Sequence, residues 1–219
     1  MTTYAIKYLD LIDRLPPGAT LRVPAVPWDE YEALLAELAD RSNVRVTYDR
    51  GTLEIMSPLP EHEEYGDLIQ DLTRVLAEEL GIKLETRGSA TFKRSRDKKG
   101  VEPDESFYVQ NADRIIGKRK IDLNVDPPPD IVVEIDITNE SRSKFPLYAS
   151  LAVPEIWLYD SIQAHIYQLQ GSEYVKATVS RFFTLITPEV LARFIEQAAA
   201  EGQSATLLSF RQWVREQIG

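Results

Sequence analysis

Pro129-Asp130-Ile131-Val132-Val133-Glu134-Ile135-Asp136-Ile137 is the stretch whose reading sorts this chain into a fold class. Its β-branched density marks a buried strand, and the preceding Asp126-Pro127-Pro128-Pro129 is a stiff lead into it. Side chains alternate along a strand, so Ile131, Val133, Ile135 and Ile137 share one face while Val132, Glu134 and Asp136 share the other. A carboxylate midway along a strand this apolar is costly to bury unless it is paired, protonated or bound to a cation. Glu134 therefore needs a partner.

Upstream, a strand is expected over 101–109, carrying Glu102-Pro103-Asp104-Glu105, with Asp104 pointing opposite to Val101, Phe107 and Val109. Asp104 on a neighbouring strand would supply the second oxygen donor. Oxygen-only ligands suit Mg²⁺, which keeps several waters and leans on one or two carboxylates plus phosphate oxygens. The alternative is that these acids rim the sheet or pair with Arg. Downstream, Thr138-Asn139-Glu140-Ser141-Arg142-Ser143 is rich in capping residues and precedes a helix over 144–151 with Pro146 in its first turn. Strands at 155–159 and 163–169 follow, with a third at 174–179.

Working outward to the ends, Trp28 opens a helix in which Asp29 can cap and Glu32 completes a capping box. The alternating runs 44–48 and 52–56 surround Asp49-Arg50-Gly51 and read as a hairpin, with Gly51 supplying the positive φ of the turn. Pro60 begins a long helix ended by Gly81, and short strands are expected over 83–87 and 90–93. Two apolar-striped helices fill 187–217. The order helix, strands, helix, strand predicts an α/β (α+β) fold, a mixed sheet flanked by helices with ligands at strand ends. The 219 residues suit one domain, with a core over 28–169 and a C-terminal helical extension over 187–217.

The chain contains no cysteine, which excludes disulfides and thiolate metal sites. No apolar run approaches the ~18 residues of a membrane span, and the N-terminus lacks the layout of a secretory signal, so a cytoplasmic protein is expected. The net charge of −10 argues against a surface that is wholly a nucleic-acid magnet. Two basic clusters nonetheless flank Asp104: Lys93, Arg94, Arg96, Lys98 and Lys99 on one side, and Lys118, Arg119 and Lys120 on the other. They read either as solvated loops or as a grip on a nucleic-acid backbone.

Several pieces fall in a telling order: Pro103-Asp104, Glu134 on an apolar strand, a helix carrying Lys144 and Tyr148, then Val153-Pro154-Glu155-Ile156-Trp157-Leu158-Tyr159-Asp160. In this the chain resembles the Uma-type restriction-endonuclease family of the PD-(D/E)XK nuclease superfamily. The likeness runs from about Trp28 to Asp160 and takes in Met56-Ser57-Pro58 and His62. It implies a restriction-endonuclease-like core, a Mg²⁺ site with Mn²⁺ as an alternative, and hydrolysis of DNA phosphodiesters through a metal-activated water. Carried over, Asp104 takes the place of the acid after Pro and Glu134 that of the acid in the (D/E)XK element, both as metal ligands.

The third motif position departs from the family. Where the motif asks for Lys, this chain has Asp136, which cannot polarise an attacking water in the same way and would instead join the metal shell. Lys144, which the resemblance puts at the start of the following helix, is the replacement candidate, against the alternative of an exposed helix-start lysine. His62 looks toward the sheet with Tyr65 and Ile69, as an auxiliary site residue or a core histidine. Tyr148, one turn after Lys144, would meet phosphate or simply pack; Glu61 is a weaker candidate. Two rivals stand beside the nuclease reading. One is a nucleic-acid-binding protein whose chemistry has lapsed. The other is a protein-interaction domain whose C-terminal helices dock a second subunit, as in a homodimer.

Overall fold

The computed structural model describes residues 3–38, 44–137 and 141–219, with side chains from Tyr8 onward. Of the expected capping run, Thr138, Asn139 and Glu140 lie outside the described residues. In chain order the elements are α1 (Thr3–Ile12), β1 (Thr20–Val23), α2 (Trp28–Glu37), β2 (Arg45–Asp49), β3 (Thr52–Met56), α3 (Pro60–Leu80), β4 (Glu85–Thr86) and β5 (Phe92–Arg94). There follow β6 (Lys99–Val101), β7 (Glu105–Tyr108), α4 (Ala112–Ile115), β8 (Ile131–Ile135), α5 (Phe145–Leu151), β9 (Glu155–Tyr159), β10 (Ala164–Gln170), β11 (Glu173–Ala177), α6 (Pro188–Glu201) and α7 (Gln203–Ile218).

The mixed α/β architecture holds, but the strands form two sheets rather than one. One sheet runs β1-β3-β2-β6-β5 and the other β11-β10-β9-β8-β7-β4. The division falls inside the expected strand over 101–109. Glu102-Pro103-Asp104 interrupts it, because Pro103 cannot donate to a ladder. Val101 consequently ends in the first sheet while Glu105 opens the next strand in the second, and Val101 and Tyr108 join the same apolar cluster. The single alternation drawn from Val101 to Val109 is lost at the kink, with Val101 in one apolar cluster and Phe107 and Val109 in another.

β8 is the spine of the second sheet. It pairs antiparallel with β7 and parallel with β9, and the parallel partner is reached by a crossover through α5. Its alternation is as the sequence dictates. Ile131, Val133 and Ile135 pack with α3, α6 and α7, whereas Val132 lies among α4 and α5 residues. Glu134 shares the Val132 face, under α5.

The first sheet is also two-faced. Val46, Tyr48, Leu53 and Ile55 pack with Tyr31 and Leu34 of α2. Arg45, Thr47 and Asp49, with Thr52 and Glu54 on the paired strand, point the other way. Arg50 and Gly51 both have positive φ, as a two-residue hairpin turn requires. α3 spans Pro60–Leu80, with Gly81 left-handed at its end.

The start of α2 corrects the sequence expectation. Pro27 occupies the N-cap, no side chain caps it, and Glu32 pairs with Lys93 instead of closing a capping box. α1 and β1 carry no pattern that sequence reading singled out.

Candidate active site

Glu134 is fully buried (0% exposed), and both of its oxygens have donors. Lys144 Nζ lies 2.7 Å from Oε2, and the Tyr148 hydroxyl donates to Oε1. The local chain explains the convergence. A 3-10 turn, Ser141–Lys144, leads into α5, and residues four apart on a helix share a face, so Lys144 and Tyr148 descend together on β8. Lys144 is only 9% exposed. Burial alone would favour its neutral amine, but the Glu134 and Asp104 carboxylates outweigh that and hold its pKa above the ordinary ammonium value.

Asp104 sits just before β7, its backbone N–H donating to the Val133 carbonyl and its Oδ2 accepting the Ile135 N–H at 2.8 Å. It is 6% exposed. Burial, and then the negative charge of Glu134, push its pKa up to about 7. Asp104 and Glu134 are two buried carboxylates that could serve as oxygen donors to a divalent cation. Among the described residues no three His, Cys, Asp or Glu side chains form a metal cage. Two carboxylates fit a hard cation that keeps its own waters.

Arg45 is the residue that sequence reading missed. On β2, an Arg alternating with Val44, Val46 and Tyr48 looks like an ordinary solvent-facing position. Here it is buried, with Nε 3.8 Å from Asp104 Oδ1 and a second nitrogen on Glu63 of α3. Glu102 was missed as well. It accepts the Val46 N–H at 2.7 Å and the Thr91 hydroxyl, tying the first sheet to the turn that holds Asp104. On the side of the first sheet, a cavity of about 190 Å³ opens onto Lys144, lined by Arg22, Thr47, Glu54 and Ser143 among others.

His62, in the first turn of α3, is 2% exposed, and neither ring nitrogen has a hydrogen-bond partner among the described residues. Each unsatisfied buried polar atom costs roughly 1–3 kcal/mol, so this is not a satisfied core histidine. Burial, then the charge of Lys144, hold its pKa below the ordinary imidazole value; Glu134, Arg45 and Glu63 are its other charged neighbours. Asp136 follows the last residue of β8, and its Oδ1 accepts the Ser141 N–H and so caps the turn leading to Lys144. Glu61 is exposed at the start of α3.

The basic clusters behave unevenly. Lys93 pairs with Glu32, and Lys118 with Asp126. Arg94 donates to the carbonyls of Leu123, Ser150 and Leu151, and Lys99 to Ser150 Oγ. Arg96 approaches Asp97 at 3.8 Å. Lys98, Arg119 and Lys120 are exposed. The two clusters adjoin, through a backbone β-bridge between Lys93 and Asp122 and through Asn124, whose side chain bonds Ser95 and the Arg96 N–H. Ser150 and Leu151 lie at the end of α5 opposite Lys144, about 10 Å away at a rise of 1.5 Å per residue.

No helix among the described residues is long and apolar enough to cross a membrane. Residues 28–200 match the model of the Uma2 family, described as "Putative restriction endonuclease". The fold is similar to the crystal structure of a protein described as a "putative nuclease belonging to DUF820" from Anabaena variabilis. The TM-score is 0.52 at 16% identity, covering 77% of this chain and 98% of that one. Among curated proteins, none matches.

Proposed function

Because the chain belongs to the Uma2 restriction-endonuclease family, we propose that it is a Mg²⁺-dependent endonuclease that hydrolyses DNA phosphodiester bonds. The observation that carries this reading is the ammonium of Lys144, 2.7 Å from Glu134. The position two residues after Glu134 lacks the motif lysine, yet a lysine from the next element reaches the same carboxylate.

In this reading Asp104 and Glu134 hold Mg²⁺, or Mn²⁺ in its place. When bound, the cation supplies Lewis-acid stabilisation of charge on phosphate oxygens and acidifies water. Lys144 remains protonated and donates hydrogen bonds toward the attacking water and the phosphate. Tyr148 fixes the Glu134 rotamer by donating to its other oxygen. Arg45, beside Asp104, adds a second positive charge where negative charge grows. Lys98, Arg119 and Lys120 face the DNA backbone from the adjoining loops, giving affinity without base specificity.

The test is incubation of purified protein with supercoiled and linear DNA and Mg²⁺ or Mn²⁺, beside Asp104→Asn, Glu134→Gln and Lys144→Ala. Cutting by the wild type that is lost in all three variants is expected. DNA binding without cutting under either metal would overturn catalysis and leave a binding protein; neither binding nor cutting would leave an interaction domain.

A further inference from the structure

Resting on the nuclease reading, we propose that His62 is a catalytic residue that accepts the proton of the attacking water. The geometry singles it out. Its imidazole is buried at the start of α3, and it makes no hydrogen bond to any described residue through either nitrogen. The charged groups around it are Lys144 before α5, Glu134 on β8, Arg45 on β2 and Glu63 on its own helix, and of these Lys144, Glu134 and Arg45 also act on Asp104. Both nitrogens are buried, and among the described residues His62 belongs to no group of three His, Cys, Asp or Glu side chains that could hold a metal ion.

The other nitrogen base in the site cannot take this role. Lys144 is an ammonium donating to Glu134 and has no lone pair to offer. A neutral imidazole has one N–H and one lone pair, and it is held neutral here by burial beside Lys144. In the proposed step a water O–H bond breaks and its proton passes to the imidazole lone pair, while the water oxygen forms a bond to phosphorus. The bond from phosphorus to the leaving oxygen breaks, that oxygen keeps the electron pair and takes a proton from solvent, and the imidazolium returns its proton to solvent.

The experiment compares wild type with His62→Gln and His62→Ala at saturating Mn²⁺, reading turnover, KM, and Mn²⁺ affinity by calorimetry, with imidazole added back to His62→Ala. Circular dichroism verifies folding of each variant, and His62→Asn replaces any that fails. Turnover is expected to fall by about a hundredfold or more, while KM and Mn²⁺ affinity change by less than about threefold. Imidazole should restore part of the lost rate to His62→Ala. The chain has two histidines, and the other, His165, pairs with Asp160, so His165→Gln serves as a control that keeps its rate. Turnover within about threefold of wild type, a loss that follows Mn²⁺ affinity, or no rescue by imidazole would each overturn the assignment. A wild type that cuts nothing with any divalent metal would instead overturn the nuclease reading beneath it.

Discussion

Replacing Lys144 by Met tests the electrostatic heart of the site without any assay of activity. The Nζ–Oε2 separation of 2.7 Å corresponds to a gross attraction of about 6 kcal/mol at an effective dielectric constant near 20. Desolvation of both groups offsets much of that in the intact pair. In Lys144→Met that attraction is lost while the desolvation of Glu134 remains, because Glu134 stays buried with only the Tyr148 hydroxyl on it among the described residues. Removing one partner of a buried pair costs roughly 3–5 kcal/mol. For a chain of this length that lowers Tm by roughly 10 °C. The measurement is urea and thermal unfolding in chelator-treated buffer, followed by circular dichroism. The double variant Lys144→Met/Glu134→Gln removes the orphaned charge and leaves an acceptor for Tyr148. It should regain most of the loss, with a coupling of about 2 kcal/mol or more in the cycle. Added Mn²⁺ should narrow the deficit of the single variant, since a cation on Glu134 replaces the missing ammonium. A single-variant loss below about 0.5 kcal/mol, or a double variant as unstable as the sum of the singles, would refute the claim that this pair is buried and coupled.

Two further outcomes are expected. Burial beneath α3, with Asp67 and Glu63 adding to it and Gln70 opposing it, pushes Glu105 up to about 7 from its ordinary 4.5. A carboxyl raised on folding stabilises the protein below its unfolded pKa and loses that contribution as pH rises toward the folded one. Stability of the metal-free protein should therefore fall between pH 4.5 and about 7, by up to about 3 kcal/mol from this group, and Glu105→Gln should flatten that part of the profile in pH-dependent urea titrations. Glu155→Ala should destabilise by about 3 kcal/mol or more, because its buried carboxylate accepts from Trp157 Nε1, Ser180 Oγ, the Arg181 N–H and Gln168. The altered emission of Trp157 reports the lost acceptor; unchanged emission and stability would refute it.

Local rules determined a good deal here. Alternation along β8 put Glu134 on the face opposite Ile131, Val133 and Ile135, and the structure keeps that assignment because each of those residues has an apolar cluster to enter. Pro60 and Gly81 bounded α3, since proline suits a first helical turn and glycine the left-handed residue after the last. The spacing of four between Lys144 and Tyr148 put both on one helical face.

Tertiary structure decided what those residues meet. Pro103 broke a predicted strand and sent its halves into different sheets, a choice made by ladder partners far away in sequence. Arg45 reads as a solvent-facing strand residue until β2 lies over the Asp104 turn and α3 presents Glu63, and no local pattern encodes that approach. Asp136 shares a strand face with Glu134 in sequence, yet the chain leaves β8 before it, and one carboxylate oxygen caps the next turn. His62 is legible as an inward-facing helix residue. That both its nitrogens are buried without a partner among the described residues depends on side chains from β2, β8 and the turn before α5, and long-range packing alone sets that.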